Sequence, residues 1–356
     1  MKKVALLVGL AAAIGYNNAE AVDWNWKGDI RYRYESKLVD KESSDNDHSR
    51  DRHRMRVRFG VYPWITEELS AGLQLSTGAG DPVSRNETLG DEFITDDIML
   101  NEAYIDYHPM FLNGDVNVIL GKRDIAKTLI VTKDLVWDSD ITLEGGTLQY
   151  GKDAGGKEKE GVNAIAGWYS VKEGSAEQDP YFIAGQLAYG GEISDLGYKA
   201  GVAYYDFAHF DELGEGDRDF NIVEIFASVG GSITEKLPWK VYGQYAFNTA
   251  EAADWSDIDD DKRDAYLIGL KIGGAKNPGE WAVSGEYVSI EEDAVTYLTD
   301  SDRNNGSSTD LEGFKLNATY HLVQNMTLGA TYMNFSKIDD DSVTNHLLQA
   351  DVVVKF

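Results

Sequence analysis

The stretch "DRHRMRVRFGV", from Asp51 to Val61, places an arginine at every second position. Side chains alternate between the two faces of a β-strand, so one face of this stretch is basic and the other mostly apolar. The basic face carries Arg52, Arg54, Arg56 and Arg58. Four like charges along one strand repel one another unless water or an opposite charge lies beside them. This is an unusual arrangement in a chain whose formal net charge is -28.

The preceding stretch "WNWKGDIRYRYE", from Trp24 to Glu35, alternates in the same way. Its aromatic and apolar residues share one face. The other face carries Lys27, Asp29, Arg31, Arg33 and Glu35. Two neighbouring strands therefore pool six arginines on one surface and an aromatic band on the opposite one. A soluble β-protein with arginines in water and a membrane barrel both explain these two strands alone.

The N-terminus predicts export. Lys2 and Lys3 precede an apolar run that ends near Ile14, and Ala19 and Ala21 form an A-x-A cleavage pattern. This is a bacterial secretory signal, and its apolar run is too short to span a bilayer as a helix. We predict cleavage after Ala21, which leaves residues 22–356 as one mature domain. No later segment of the sequence reaches the ~18 uninterrupted apolar residues of a spanning helix.

The composition excludes several classes of protein. The chain has no cysteine, so it has no disulfide framework, thiolate metal site or cysteine nucleophile. Six prolines leave long extended runs unbroken, and twenty tyrosines and eight tryptophans suit a large β-structure with aromatic girdles. The strong acidity argues against nucleic acid as a partner.

Alternating stretches of about ten residues predict an even number of strands, sixteen in all. They are 24–35, 51–61, 69–77, 98–109, 115–123, 145–152, 161–172, 181–193, 198–208, 220–233, 239–248, 265–274, 280–290, 312–322, 326–336 and 346–356. A barrel of this width cannot fill its interior with side chains, so the interior is wet and the apolar face meets lipid. The first strand must pair with the last, because an open edge in hydrocarbon leaves backbone groups unsatisfied.

The connections alternate between two kinds. The short ones are 62–68, 108–114, 194–197, 234–238, 275–279 and 323–325, and a longer one of the same class is 153–160. The long, mostly acidic ones are 36–50, 78–97, 123–144, 249–264, 291–311 and 337–345. Short turns at one end and long loops at the other are typical of an all-β transmembrane antiparallel barrel with periplasmic turns and extracellular loops.

Several stretches carry a family resemblance. The openings "WKGDIRYRYE" (26–35) and "HRMRVRFGV" (53–61), and the final Phe356 on an apolar alternating strand, resemble bacterial outer-membrane porins of the group called putative porins. The sequence is also distantly similar to the major porins of campylobacters. "LGKRDI" (120–125) and "LVWDSDITLEGGTLQY" (135–150) resemble the strand, constriction loop and return strand of trimeric general porins. The resemblance implies the outer membrane of a Gram-negative bacterium, a third loop folded inward and a homotrimer.

The predicted site is a basic wall that faces this loop across a water-filled pore. The wall consists of Lys27, Arg31, Arg33, Arg52, Arg54, Arg56 and Arg58. The loop, about 123–144, carries Arg123, Lys127, Lys133, Asp134, Asp138, Asp140 and Glu144. Its apolar "TLIV" (128–131) predicts packing against the barrel wall. Opposite charges across a constriction sort ions and small hydrophilic solutes by size and charge, without a covalent step.

Alternatives remain open at this point. The arginines could simply hydrate the lumen, or the channel could be specific for an anion or an organic acid. The basic wall favours anions and the acidic loops attract cations, so ion selectivity stays undecided. Acidic clusters at 257–261 and 338–342 could bind Ca²⁺ or bridge to lipopolysaccharide, although they lack an EF-hand pattern. The candidate calcium ligands are Asp257, Asp259, Asp260 and Asp261, and a merely solvated loop is the simpler reading.

An enzyme is the third possibility. The six histidines form no H-E-x-x-H motif, and the serines form no G-x-S-x-G elbow. We therefore predict a channel that has no catalytic residues and needs no cofactor, in contact with outer-membrane lipid and lipopolysaccharide.

Overall fold

The structure is a computed structural model that describes residues 22–41, 48–78, 80–174, 178–213, 219–234, 236–250, 262–303, 308–338 and 343–356. Within these residues sixteen long strands form one antiparallel sheet. They are β1 Asp23–Lys41, β2 His48–Thr66, β3 Leu69–Ser76, β4 Met99–Tyr107, β5 Val116–Asp124, β6 Thr142–Tyr150, β7 Gly161–Ser170, β8 Tyr181–Ile193, β9 Leu196–Ala208, β10 Asn221–Thr234, β11 Leu237–Asn248, β12 Asp264–Gly273, β13 Trp281–Ile290, β14 Leu311–Val323, β15 Met326–Ser336 and β16 Val343–Lys355. A two-residue strand, Glu87–Thr88, also pairs with β2.

The sheet closes on itself. Ile30 of β1 lies opposite Val57 of β2 on one side and opposite Val354 of β16 on the other. Closure leaves no open edge in the lipid, as the hydrocarbon environment requires. The predicted sixteen-stranded antiparallel barrel is therefore confirmed, including the pairing of the first strand with the last.

The two faces of the wall differ as the alternation predicts. Arg54 and Arg56 are buried inside, whereas Trp26 and Ile30 are 57% and 49% exposed on the outside. The ring of Trp26 stacks on Phe59 with centroids 5.5 Å apart. Exposed aromatic rings on the outer face mark the boundaries of the apolar band of a membrane barrel.

The connections define two ends, which we call the turn end and the loop end. At the turn end β2 and β3, β8 and β9, and β14 and β15 are joined by two residues each. At the loop end β3 and β4 are separated by 77–98, β5 and β6 by 125–141, and β13 and β14 by 291–310. Among the described residues, no helix is long and apolar enough to cross a membrane.

Several strands run further than the sequence predicts. β1 continues to Lys41 and β2 begins at His48, so most of the predicted loop 36–50 is strand. The physical reason is that neither face needs to be apolar above the lipid, so the alternation fades while backbone pairing continues. For the same reason the predicted loop 123–144 shrinks to 125–141.

Candidate functional site

The segment 125–141 starts with a short helix, α1, at Ile125–Thr128. Asp124 caps its N-terminus by accepting from the backbone N–H groups of Ala126 and Lys127, at 3.0 and 3.3 Å. At the other end the buried Lys152 ammonium donates to the carbonyls of Ala126 and Leu129, at 3.1 and 2.6 Å. A carboxylate at the start of a helix and a cation at its end satisfy the free backbone groups. These contacts fasten the segment to the end of β5 and to the connection between β6 and β7.

The rest of the segment packs against the inner wall at β6–β9. The Trp137 ring, 2% exposed, lies 5.0 Å from Phe182 and 5.1 Å from Tyr205 between ring centroids. The backbone of Ile130 exchanges two hydrogen bonds with the Gln186 side chain, at 2.7 and 3.1 Å. Segment 125–141 therefore lies inside the barrel, against one side, and leaves the opposite side open.

A second segment from the loop end, within the connection 291–310, also lies inside, although the sequence pattern predicts an extracellular loop there. Asp138 donates its backbone N–H to Leu298 at 2.7 Å, and the Thr299 hydroxyl donates to Leu135 at 2.7 Å. Ala294 and Thr299 are fully buried. The predicted loop 291–311 is thus not wholly extracellular. Its apolar residues Ala294, Val295 and Leu298 are the same signal that "TLIV" gives for segment 125–141.

A cavity of about 700 Å³, which we call the chamber, lies between these segments and the open side of the barrel. Its wall comes from β1, β2 and β11–β16, and Thr132–Asp140 and Asp300–Asp302 border it from the loop end. Eight cationic and seven carboxylate side chains line it. It is therefore a polar, highly charged space of a size suited to small solutes.

The basic wall is largely neutralised within its own strands. Asp29 accepts from Arg56 at 2.8 Å and from Arg58 at 2.7 Å. Glu35 pairs in the same way with Arg52 and, at 3.6 Å, with Arg54. The alternation of β1 in the sequence already places both carboxylates on the face that carries the arginines.

Charges from outside the two strands complete the balance. Arg33 forms a bidentate pair with Asp351 of β16, at 2.7 and 2.8 Å. From segment 125–141, Asp140 reaches Arg56 and Arg58 at 3.7 and 3.9 Å. Arg31 makes no ion pair with a described residue and donates to Asn86 instead. Lys27 lies near the turn end, 5.7 Å from the centre of the Tyr62 ring.

The predicted loop residues separate into groups. Lys133 pairs with Glu286 of β13 at 2.9 Å. Asp134 pairs with Arg303 at 2.5 Å and with Lys315 of β14 at 3.3 Å. These contacts tie segment 125–141 to the second segment and to the far wall.

Three of the predicted loop residues lie away from the chamber, and the predicted loop bounds are wrong for Arg123 and Glu144, which lie on strands. Arg123 is buried on β5 and pairs with Asp106 at 2.9 Å. Lys127, in α1, pairs with Glu102 at 3.2 Å. Glu144 is on the outer face of β6, where it pairs with Lys122 at 2.7 Å. It points outward because β6 already begins at Thr142 and its register turns Glu144 away from the lumen. Glu144 therefore contributes no charge to the chamber.

The pKa values of two aspartates in segment 125–141 are shifted in opposite directions. Burial opposes the ionisation of Asp134, but Lys133, Lys315 and Arg303 hold its pKa well below the usual range. Burial, reinforced by the negative charge of Asp300, raises the pKa of Asp138 to about 9. At neutral pH Asp138 is thus uncharged, and segment 125–141 carries less negative charge than its sequence indicates.

The calcium candidates Asp257, Asp259, Asp260 and Asp261 lie outside the described residues, as does most of the cluster at 338–342. Within the described part of the chain, no group of three or more histidine or carboxylate side chains is arranged to hold a metal ion. The predicted signal peptide, residues 1–21, is also outside the described residues.

Comparison with known proteins agrees with the barrel. A family model described as "Putative porin" matches residues 15–220 and 219–356. A structure of OprB from Pseudomonas putida aligns over 94% of each chain with a TM-score of 0.62 and 9% identity. A mutant porin of Rhodopseudomonas blastica aligns over 94% of this chain and 100% of its own, with a TM-score of 0.50 and 13% identity. At such identities these structures show the fold alone. No curated protein matches the sequence.

Proposed function

Because the chain belongs to the putative porin family, and is thus an outer-membrane channel rather than an enzyme, we propose that ions and small hydrophilic solutes diffuse passively through the chamber. The observation that carries this proposal is the 700 Å³ polar cavity inside a closed barrel. The bacterium is Gram-negative, and residues 1–21 are a signal peptide that is removed on export.

The filter lies where segment 125–141 approaches the basic wall. Asp140 accepts a hydrogen bond from the backbone N–H of Arg85 at 3.3 Å and lies 3.7 and 3.9 Å from the guanidinium groups of Arg56 and Arg58, so oppositely charged groups stand side by side at the edge of the chamber. Opposed charges at a narrow place create a transverse field that acts on passing solutes. Asp29 and Asp140 fix the guanidinium groups in position, so the wall does more than hydrate the lumen.

Planar-bilayer recording tests the function. We expect discrete conductance steps that rise linearly with KCl concentration, and entry of neutral sugars that falls steeply with their size. The absence of steps would contradict the channel. Current that saturates for one anion or organic acid would instead support the alternative, a substrate-specific diffusion channel.

We also propose that the channel is a homotrimer. This rests on the family resemblance and on an apolar segment outside the barrel, in the connection 77–98. Phe93 is fully exposed there, and Ile94 and Ile98 are 66% and 61% exposed. Exposed apolar residues that neighbour one another mark interaction sites, and a second copy of the chain would bury them.

Light scattering of the detergent-purified protein tests the trimer. Wild type should have three times the mass of one chain. Replacing Phe93 and Ile98 by serine should lower that mass, whereas replacing Phe111, an exposed aromatic residue in a turn-end connection, should not. A monomeric wild type would contradict the proposal. Contact of the acidic loops with lipopolysaccharide remains a prediction.

A further inference from the structure

The carboxylates of the chamber are almost all occupied by cations of the protein. Asp300 pairs with Lys315 at 2.8 Å, and Asp302 with Arg33 at 3.2 Å. Ion pairs described above occupy Asp134, Asp140, Glu286 and Asp351. The seventh carboxyl, Asp138, accepts the backbone N–H of Asp140 and is neutral at pH 7. The chamber therefore has little negative charge left to offer a solute.

The cations of the chamber are not balanced in the same way. Four of the eight make no ion pair with any residue that the structure describes. They are Arg31, Lys240, Lys271 and Lys355. The surplus is positive, although the whole chain is strongly negative.

Two of these cations are direct neighbours. Lys240 of β11 lies opposite Lys271 of β12 in the strand register, and both face the chamber. Like charges directly opposite on adjacent strands destabilise a sheet. Their flanking partners are small, since Gly230 lies opposite Lys240 and Ser284 opposite Lys271. No described carboxylate makes an ion pair with either ammonium. Glu158 attracts Lys240 electrostatically but is itself paired with Lys199 at 2.9 Å, so the repulsion between Lys240 and Lys271 is only partly offset in the empty channel.

We propose that Lys240 and Lys271 form a binding site for a small oxyanion, which makes the channel selective for anions. An anion with two or more oxygen atoms, such as phosphate or a dicarboxylate, accepts a charge-assisted hydrogen bond from each ammonium and removes their repulsion. Arg31 and Lys355 add positive potential to the same chamber. The site rests on the proposed diffusion function and names the class of solute that it favours.

Reversal potentials in a KCl gradient give the first test. Wild type should pass chloride in preference to potassium. Lys240→Gln and Lys271→Gln should each lower the chloride-to-potassium permeability ratio roughly three- to tenfold, since each removes a unit charge from the chamber wall. The matched control is Lys276→Gln, which removes the same charge from the exposed turn after β12 and should leave the ratio nearly unchanged.

Block of the chloride current gives the second test. Inorganic phosphate or succinate should reduce wild-type current, and K240Q and K271Q should each raise the blocking concentration at least tenfold. Block by phosphate alone identifies a tetrahedral oxyanion, and block by succinate alone identifies a dicarboxylate. Lys271→Glu, which creates an ion pair with Lys240, should abolish block and shift the permeability ratio toward potassium.

The outcomes separate this inference from the function on which it rests. A wild-type protein without conductance steps would overturn the channel itself. A conducting wild type that prefers potassium, or that neither anion blocks, would overturn only the oxyanion site. Equal effects of K240Q and K276Q would also overturn it, because charge at the channel mouth would then account for the selectivity. Folding of each variant is checked by the gel mobility of the unheated barrel.

Discussion

Replacing Val57 by arginine tests how the wall is oriented in the membrane. Val57 lies on the outer face of β2, opposite Ile30 of β1. Along β1, Ile30 is midway between Trp26 and Tyr34, whose rings belong to two aromatic levels. At ~3.3 Å per residue and a strand tilt near 40°, these levels are roughly 20 Å apart along the membrane normal, close to the height of the apolar band. Val57 is therefore near the bilayer midplane.

The size of the effect follows from this depth. An arginine on the lipid face costs roughly 2–4 kcal/mol at the midplane and about 0–1 kcal/mol near the interface. Val61 is on the same face but opposite Trp26, at the lower aromatic level. Val57→Arg should thus lower the folding equilibrium constant about thirty- to several-hundredfold, and Val61→Arg at most about fivefold.

Urea titration of the barrel in lipid vesicles, followed by tryptophan fluorescence, measures this difference. Arg56→Ala is the control on the inner face. It should fold, because Asp29 keeps its pair with Arg58, but its permeability ratio should shift toward potassium. Equal destabilisation by Val57→Arg and Val61→Arg would refute the assigned depth. Loss of assembly in Arg56→Ala, with altered selectivity in Val57→Arg, would reverse the assigned faces.

Three further predictions concern the interior. Trp137→Ala removes the ring between Phe182 and Tyr205, which should lower the packing free energy of segment 125–141 by about 3–5 kcal/mol. Single-channel conductance should therefore rise and become noisy. Trp168→Ala, on the outer face, should leave the conductance unchanged. Raising the pH from 7 past 9 ionises Asp138 and adds negative charge, so the chloride-to-potassium permeability ratio should fall, and Asp138→Asn should remove this step. Arg303→Met leaves Asp134 without one of its cations, and proteolysis in folded vesicles should then cut segment 291–303 faster than in wild type.

The barrel could be predicted from the sequence because lipid imposes a pattern on it. Every strand inside the hydrocarbon must present an apolar face, so stretches such as 346–356 carry their structure in the residue order. The same rule explains why the strand ends were wrong. Beyond the lipid both faces are wet, and nothing in the sequence distinguishes Ser36–Lys41, which is paired, from a loop.

The interior contacts were less predictable because they join residues far apart in the chain. The apolar "TLIV" pointed to packing of segment 125–141, but no local pattern connects Asp134 with Arg303 or Lys315. The alternation of side chains along each strand is enough to predict that Lys240 and Lys271 face the lumen. Their proximity required the register, which places them directly opposite each other.

Net charge is a poor guide to what such a channel conducts. A net charge of -28 sums every surface of the chain, including residues on the outer face such as Glu144. A passing solute meets only the charges of the lumen, and among these it responds most to those without a partner, because a paired charge presents mainly a dipole. In the chamber the pairing consumes carboxylates first, since arginines and lysines from β1, β2, β14 and two inward segments converge on them. The charges that remain free inside the chamber are therefore positive, even though acidic loops attract cations at the mouth. Lys240 and Lys271, rather than the net charge of the chain, then decide the selectivity.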